Sequence, residues 1–267
     1  MNHQVVRTKT GFWAMLNVLD GEVMHPGVGP LDEARILYVE QSQLGQRLEK
    51  SDRPLVVFDV GLGAGSIALA ARAVSESAPA HCTTLEIVSF ERDLEALALA
   101  LEHPEAFGLN GEPGEAARGL LKDGFHQSAR TYWRVSHGDV FEKLASETSQ
   151  PDIVYWDMYS PRKHAGCWTV AAFSQVRKLA SPHCTLFTYT ASTAPRIAML
   201  CAGWAVGLGD SIGEKWQTTA AAIRVEDLKQ PLTVDWLARL HRSDVPLPED
   251  VSATFLEDIK SLPQFRK

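Results

Sequence analysis

Three glycines at alternate positions, and three carboxylates that end apolar runs, are the residues here best placed to do chemistry. Gly61, Gly63 and Gly65 follow Val56-Val57-Phe58-Asp59-Val60 and lead into Ser66-Ile67-Ala68-Leu69-Ala70-Ala71. The first run reads as a buried strand and the second as the start of a helix. Glycines there let the backbone turn sharply and let a ligand approach the unpaired N–H groups of the helix N-terminus. A nucleotide-type ligand suits that arrangement. The dinucleotide fingerprint G-x-G-x-x-G/A is missed, because Ser66 holds its last position. Glu91, Asp139 and Asp157 end three later apolar runs. In an open α/β sheet, such strand ends converge on one ligand site. A carboxylate at the second strand end accepts hydrogen bonds from ribose hydroxyls.

The elements that must position these residues alternate along the chain. Strands are expected over 56–60, 84–90, 132–136, 152–156 and 184–190, with helices after each. Asp93 opens one of these helices as an N-cap. Residues 104–131 interrupt the rhythm with glycines and prolines and leave room for one short helix around 116–123. A closing pair of strands is expected over 204–208 and 218–225, with Gly209–Lys215 between them. Upstream, Ala34, Leu37, Gln41, Leu44 and Leu48 share one face of a helix spanning 31–50. A turn at Val18–Glu22 falls between short strands. The fold class expected is α/β: a Rossmann-like doubly wound sheet, mostly parallel with an antiparallel edge strand, plus an N-terminal cap. The divisions are 1–53 for the cap, 54–228 for the core and 229–267 for a C-terminal extension.

Composition narrows the class. A 267-residue chain with 45% hydrophobic and 22% charged residues is suited to one large globular domain with additions. No apolar run approaches the ~20 residues that span a bilayer, and the N-terminus lacks a signal-peptide pattern. Cys82, Cys167, Cys184 and Cys201 have no C-x-x-C spacing. That argues against zinc or a disulfide framework and for a reducing cytoplasm. No metal is expected. The net charge of −7 gives no global attraction to nucleic acid. From Met158 to Gly209, however, there is no Asp or Glu, while Arg162, Lys163, Arg177, Lys178 and Arg196 give that stretch five positive charges. One face of an acidic body is thus expected to be basic.

Several motifs together carry a family resemblance. Gly138-Asp139 resembles the adenine-binding edge of S-adenosylmethionine methyltransferases. Asp157-Met158-Tyr159-Ser160-Pro161 resembles the acid-x-aromatic and proline loop of methyltransferases that act on amines. A carboxylate there can hydrogen-bond an amine N–H and stabilise charge developing on nitrogen. Further matches are Met24-His25, Glu33-Ala34, Tyr38-Val39, Ser89-Phe90-Glu91-Arg92, His103-Pro104-Glu105, Trp156 to Lys163, Trp168-Thr169 and Thr185 to Ser192. Over roughly residues 20–225 the chain resembles the methyltransferase part of the bacterial tRNA 5-methylaminomethyl-2-thiouridine biosynthesis family. It departs from the family at His164-Ala165-Gly166-Cys167, where an Asn-Pro pair is usual, and at Pro26, where serine is common.

The resemblance implies a methyltransferase sheet and a tRNA-modifying enzyme. Its reaction would be methylation of the 5-aminomethyl group of a wobble uridine with S-adenosyl-L-methionine. The residues implied for cofactor binding are Asp59, Gly61, Gly63, Gly65, Glu91, Arg92, Gly138, Asp139 and Asp157. Asp157 is also the implied catalytic residue, touching the substrate amine. His25, Tyr159, Ser160, Pro161 and Lys163 are expected to line the substrate entry, although His25 also reads as an ordinary loop hydrogen-bonder. Two alternatives stand beside this: an aminopropyltransferase-like or other enzyme acting on a different amine, and a non-catalytic RNA-binding relative.

Overall fold

The computed structural model describes residues 2–24, 29–211, 217–240, 242–243 and 245–266. The chain begins with a small antiparallel sheet of β1 (His3–Arg7), β2 (Trp13–Asn17) and β3 (Glu22–Val23). The turn expected at 18–22 joins β2 to β3, and Asn17 Oδ1 accepts from Leu19 N–H within it (3.0 Å). The helix expected over 31–50 is broken in the structure. It consists of α1 (Pro30–Ala34), a π-helical turn over Arg35–Glu40, and α2 (Leu44–Lys50). Gln43, with φ +55°, separates the last two pieces. The extra residue of a π turn shifts the register of the following face, and periodicity alone did not reveal it. Leu37, Leu44 and Leu48 are buried all the same.

The core then alternates: β4 (Leu55–Val60), α3 (Ser66–Ser77), β5 (Leu85–Glu91), α4 (Glu95–Glu102), α5 (Pro104–Phe107) and α6 (Glu112–Asp123). Next come β6 (Phe125–Gln127), β7 (Thr131–His137), α7 (Val140–Ser146), β8 (Ile153–Trp156), α8 (Val170–Leu179), β9 (Thr185–Thr188) and α9 (Thr193–Cys201). The chain closes with β10 (Ala205–Gly209), β11 (Thr218–Ala222) and α10 (Phe255–Ser261). The interruption at 104–131 therefore holds two helices and an edge strand. Pro104 and Pro113 lie in the first turns of α5 and α6, where a missing N–H costs nothing, so they start helices rather than break them.

Eight strands form one sheet in the order β10-β11-β9-β8-β4-β5-β7-β6. The five central strands are parallel, as expected. β6 is an antiparallel strand at one edge. At the other end, the reversed strand of the closing pair lies one place in from the edge. β11 runs antiparallel to both β9 and β10, because the crossover through α9 lands β10 one position out and β11 returns into the gap. Side chains alternate between two cores. Val57, Ile87, Trp133 and Tyr155 face Leu48, Ala68, Leu97 and Leu120 on α2, α3, α4 and α6. Phe58, Val88, Val154 and Leu186 face Leu144, Phe173 and Ile197 on α7, α8 and α9.

The segment after 228 packs onto the sheet. Leu208 N–H donates to Gln230 O (2.8 Å), and Leu232 N–H donates to Val206 O (2.9 Å). Gln264 Oε1 accepts from Val206 N–H (2.9 Å), while its Nε2 donates to Leu232 O (3.0 Å). Ile259 and Phe265 are buried in the α8–α9 core. Among the described residues, no helix is long and apolar enough to cross a membrane.

One carboxyl lies under the glycine turn. Asp59 on β4 is buried, accepts from Ser89 Oγ–H (2.7 Å), and Ser89 Oγ in turn accepts from Trp133 Nε1–H (2.9 Å). Burial pushes its pKa from the ordinary 3.8 up to about 7.

Two outcomes are expected. Gln264→Ala leaves edge-strand groups unpaired and lowers stability by about 1–3 kcal/mol in chemical denaturation. For Asp59, the folded chain holds a proton that the unfolded chain has lost between 3.8 and about 7. Stability from this group therefore falls as pH rises through that window, leaving a standing cost above it. Asp59→Asn removes the dependence, so the variant gains on the wild type with rising pH. Parallel denaturation profiles for the two proteins across the window would contradict the assignment.

Candidate active site

The carboxyl ends of β4, β5, β7 and β8 open into a cavity of about 550 Å³. Its floor is the turn after β4. Gly61 has φ +93°, and a Cβ there would stand 2.7 Å from the main-chain oxygen of Asp157, so only glycine fits. The close neighbour at this position is the end of β8 rather than a ligand. Gly63 lines the cavity, whereas Gly65 turns away beneath Leu97. Ser66, at the start of α3, is buried at the cavity wall, and its hydroxyl has no partner among the described residues.

Glu91, at the end of β5, lines the cavity and holds the turn. Its Oε2 accepts from Gly63 N–H (3.1 Å), and Oε1 accepts from the N–H groups of Arg92 (2.8 Å) and Asp93 (3.0 Å). Arg92, Gly138 and Asp139 lie on the same wall. Asp139 is the N-cap of α7, accepting from Phe141 N–H (3.0 Å) and Glu142 N–H (3.4 Å). Asp59 does not line the cavity, because β4 carries it inward to the sheet core.

Asp157 is fixed from two sides. Gly61 packs on its main chain, and Tyr38 donates its hydroxyl to Oδ1 (2.5 Å). Tyr38 belongs to the π turn and packs edge-on against Tyr155, with ring centroids 5.6 Å apart. Burial, reinforced by the neighbouring Asp157 charge, holds the Tyr38 phenol well above its usual pKa, so it stays a donor. Tyr189, after β9, lines the cavity beside Asp157 and donates to Met158 O (3.1 Å). Burial raises its phenol pKa as well.

The N-terminal sheet forms the roof. His3 Nδ1–H donates to Glu95 Oε2 (3.1 Å), and Nε2 lies 3.1 Å from Tyr159 Oη. Glu22 accepts from Ser160 N–H (2.8 Å) and Ser160 Oγ–H (3.0 Å). Lys163 Nζ donates to Asp20 O (2.6 Å), and His164 Nε2 meets Asp20 Oδ2 at 2.8 Å. Tyr159 lines the cavity, and burial pushes its phenol pKa up to about 12. Ser160 and Pro161 instead line an adjoining cleft, Lys163 lines neither, and His25 lies outside the described residues. Trp168 is buried and donates its indole N–H to Tyr159 O (2.8 Å). Cys167 reaches the cavity wall with its thiol pKa pushed up to about 11 by burial, which keeps it protonated and inert.

The structure thus gathers the strand-end acids expected from the sequence and adds Tyr38, Tyr189, Ser66, His3, Asp20 and Glu22. Of these additions, Ser66 had a local signal as the residue directly after the glycine turn, and Tyr38 and Tyr189 lie in motifs that carry the resemblance. The cavity is strongly acidic. Asp20, Glu22, Glu33, Glu91, Asp93, Asp139 and Asp157 line it, against Arg92 and two histidines. Such a site favours ligands carrying positive charge.

A family model for S-adenosyl-L-methionine-dependent methyltransferases matches residues 120–224. The chain is 29% identical over 201 residues to the tRNA 5-methylaminomethyl-2-thiouridine biosynthesis bifunctional protein MnmC of Burkholderia thailandensis, covering 72% of this chain and 31% of that protein. It is 30% identical over 199 residues to the MnmC of Pseudomonas fluorescens, covering 70% and 30%. The chain therefore spans about a third of the length of these curated relatives. In fold it is similar to the crystal structure of MNMC2 from Aquifex aeolicus, with a TM-score of 0.73 and 22% identity, covering 96% of this chain and 82% of that one. With its site built on the matched sheet, the chain carries an S-adenosyl-L-methionine-dependent methyltransferase domain similar to that of MnmC.

Proposed function

We propose that the chain methylates the 5-aminomethyl group of a tRNA wobble uridine and works in the cytoplasm. The observation that carries this reading is Asp157, a carboxylate at the cavity wall that Gly61 and Tyr38 hold in one orientation. The names of the curated relatives supply the tRNA substrate.

The residues present suit S-adenosyl-L-methionine. An unpartnered Ser66 hydroxyl, the Glu91 carboxylate and the acid-rich wall offer hydrogen bonds and compensating charge to a cationic nucleoside. The cofactor supplies a methyl group on a sulfonium, already activated for transfer. Glu91 is assigned to the ribose hydroxyls, and Asp139 and Gly138 to the adenine side. Asp157 accepts from the N–H of the incoming neutral amine and so aims its lone pair. It then stabilises the positive charge that develops on nitrogen. Tyr38 is a positioning residue: its hydroxyl fixes which Asp157 oxygen faces the amine. The division into an N-terminal cap over 1–53, a core over 54–228 and an extension over 229–267 goes with this reading, the cap closing the site.

The carboxylates that the N-terminal sheet brings over the cavity favour a second reading, a small cationic amine in place of tRNA. Mass spectrometry of tRNA nucleosides from a strain lacking this gene separates the two. Loss of the methylated wobble uridine supports the tRNA reading, and unchanged nucleosides remove it. With tRNA as substrate, Asp157→Ala is expected to lower kcat by ~10²–10⁴-fold. Tyr38→Phe is expected to lower kcat about tenfold while the cofactor Kd stays put, because the interaction lost is one made to the reacting carboxylate. Wild-type turnover by Asp157→Ala would overturn the assignment of the amine-facing residue.

A further inference from the structure

A carboxylate can aim an amine at a methyl group only after that amine has lost its extra proton. An alkylamine is largely protonated near neutral pH, and a cavity lined by seven carboxylates favours the ammonium form further. An ammonium has no lone pair with which to attack. Asp157 is a poor acceptor for the proton, because once neutralised it no longer stabilises the charge that develops on nitrogen. The proton needs another way out of the cavity.

A line of polar groups runs from the cavity wall to the surface. Tyr159, two residues beyond Asp157, lines the cavity together with His3 and Asn17. Tyr159 is pinned in place. Its main-chain oxygen accepts from Trp168 Nε1–H (2.8 Å), and the His164 ring lies against its own with centroids 4.8 Å apart. The Tyr159 hydroxyl bonds to the Asn17 side chain and, at 3.1 Å, to His3 Nε2. On the far side of the imidazole, Nδ1 lies 3.1 Å from Glu95 Oε2. The His3 side chain is 7% exposed and that of Glu95 28%, so the line ends at solvent.

The two ends set the direction of every bond. The Asn2 N–H (2.6 Å) and the His3 contact lower the Glu95 pKa, so this carboxylate is ionised and only accepts. The neutral His3 ring therefore carries its proton on Nδ1 and presents a bare Nε2. At the other end, Asn17 Oδ1 accepts from Leu19 N–H (3.0 Å), and its amide N–H serves the Tyr159 oxygen. Tyr159 is left to donate to Nε2. Carboxylate, imidazole and hydroxyl thus stand in the order by which a histidine draws a proton from oxygen.

Resting on the tRNA reading, we propose that Tyr159, His3 and Glu95 form a proton relay that deprotonates the aminomethyl group of the substrate. An N–H bond of the ammonium breaks as its proton passes to Tyr159 Oη. The phenol proton passes to His3 Nε2 in the same step, so no phenolate forms. The resulting imidazolium is paired with Glu95, and the Nδ1 proton leaves through that carboxylate to water. The amine keeps its lone pair for the methyl group, and Asp157 keeps its charge. Tyr159 touches the substrate, while His3 and Glu95 act through it. Asp93 also stands within 4.8 Å of His3, and Asp20, Glu22, Glu91 and His164 face Tyr159. The carboxylates among them favour the imidazolium that the relay creates.

The test uses the full chain, tRNA purified from a strain lacking the gene, and tritiated S-adenosyl-L-methionine, with rates followed across pH. Tyr159→Phe removes the hydroxyl. His3→Gln keeps a hydrogen-bonding side chain but cannot take up the proton. Each is expected to lower kcat ~10²-fold near neutral pH, with the cofactor Kd from calorimetry within about twofold of wild type. The deficit is expected to shrink as pH rises toward the range in which the free amine is neutral, because the relay then has nothing to remove. A loss equal at every pH, or wild-type kcat in both variants, overturns the relay and leaves the tRNA reading standing. Nitrogen-15 NMR of the cofactor-free protein tests the geometry apart from activity. The neutral His3 ring is expected to be protonated at Nδ1, and the opposite tautomer overturns the relay. If the wild type binds cofactor but leaves this tRNA unmethylated, the tRNA reading falls and takes the relay with it.

Discussion

The contact between Gly61 and the main chain of Asp157 is the constraint from which the site follows. It fixes the distance between the ends of β4 and β8, and any side chain at position 61 would force them apart. A turn that reads as a ligand cradle is therefore first a spacer between two strands. With Asp157 seated there, Tyr38 can reach it from a different element, and Glu91 can fold its carboxylate over the turn at Gly63. The glycine turn and the Asp157 carboxylate are thus parts of one rigid unit built on parallel strands, the most deeply buried elements of the molecule.

Around that unit the charges are sorted. Carboxylates come to the cavity from strand ends and from the small N-terminal sheet, while the stretch that follows Asp157 carries only cations. A low-dielectric wall strengthens the field that those carboxylates set up. The overall charge of −7 says little about the ligands, because carboxylates gather at the cavity while residues 158–209 contain none.

Much of this was legible in the chain. Apolar runs of five to seven residues gave the central strands, and the acids ending them gave Glu91, Asp139 and Asp157 their places. Other parts depend on partners far along the chain. Tyr38 lies 119 residues from Asp157, and Glu22 lies 138 from Ser160. No local pattern marks either pair, and the π turn that aims Tyr38 leaves an ordinary helical periodicity behind. Asp59 and Asp139 show the opposite limit. Both are expected at the site, yet Asp59 is drawn into the sheet core, and Asp139 lines the cavity with its carboxylate committed to the cap of α7. Residue type and strand position do not distinguish these fates, which are set by which face of β4 points inward and by where α7 begins.

The segment after 228 has a consequence for the sheet as a surface. Gln230 and Leu232 turn their polar main-chain groups inward to β10, so residue 231 faces outward. That residue is proline, which has no N–H to offer. A strand from another molecule seeking to extend the sheet there meets an outer row that lacks a donor at its centre. The sheet is thus ended chemically as well as covered, and this edge is protected against self-association.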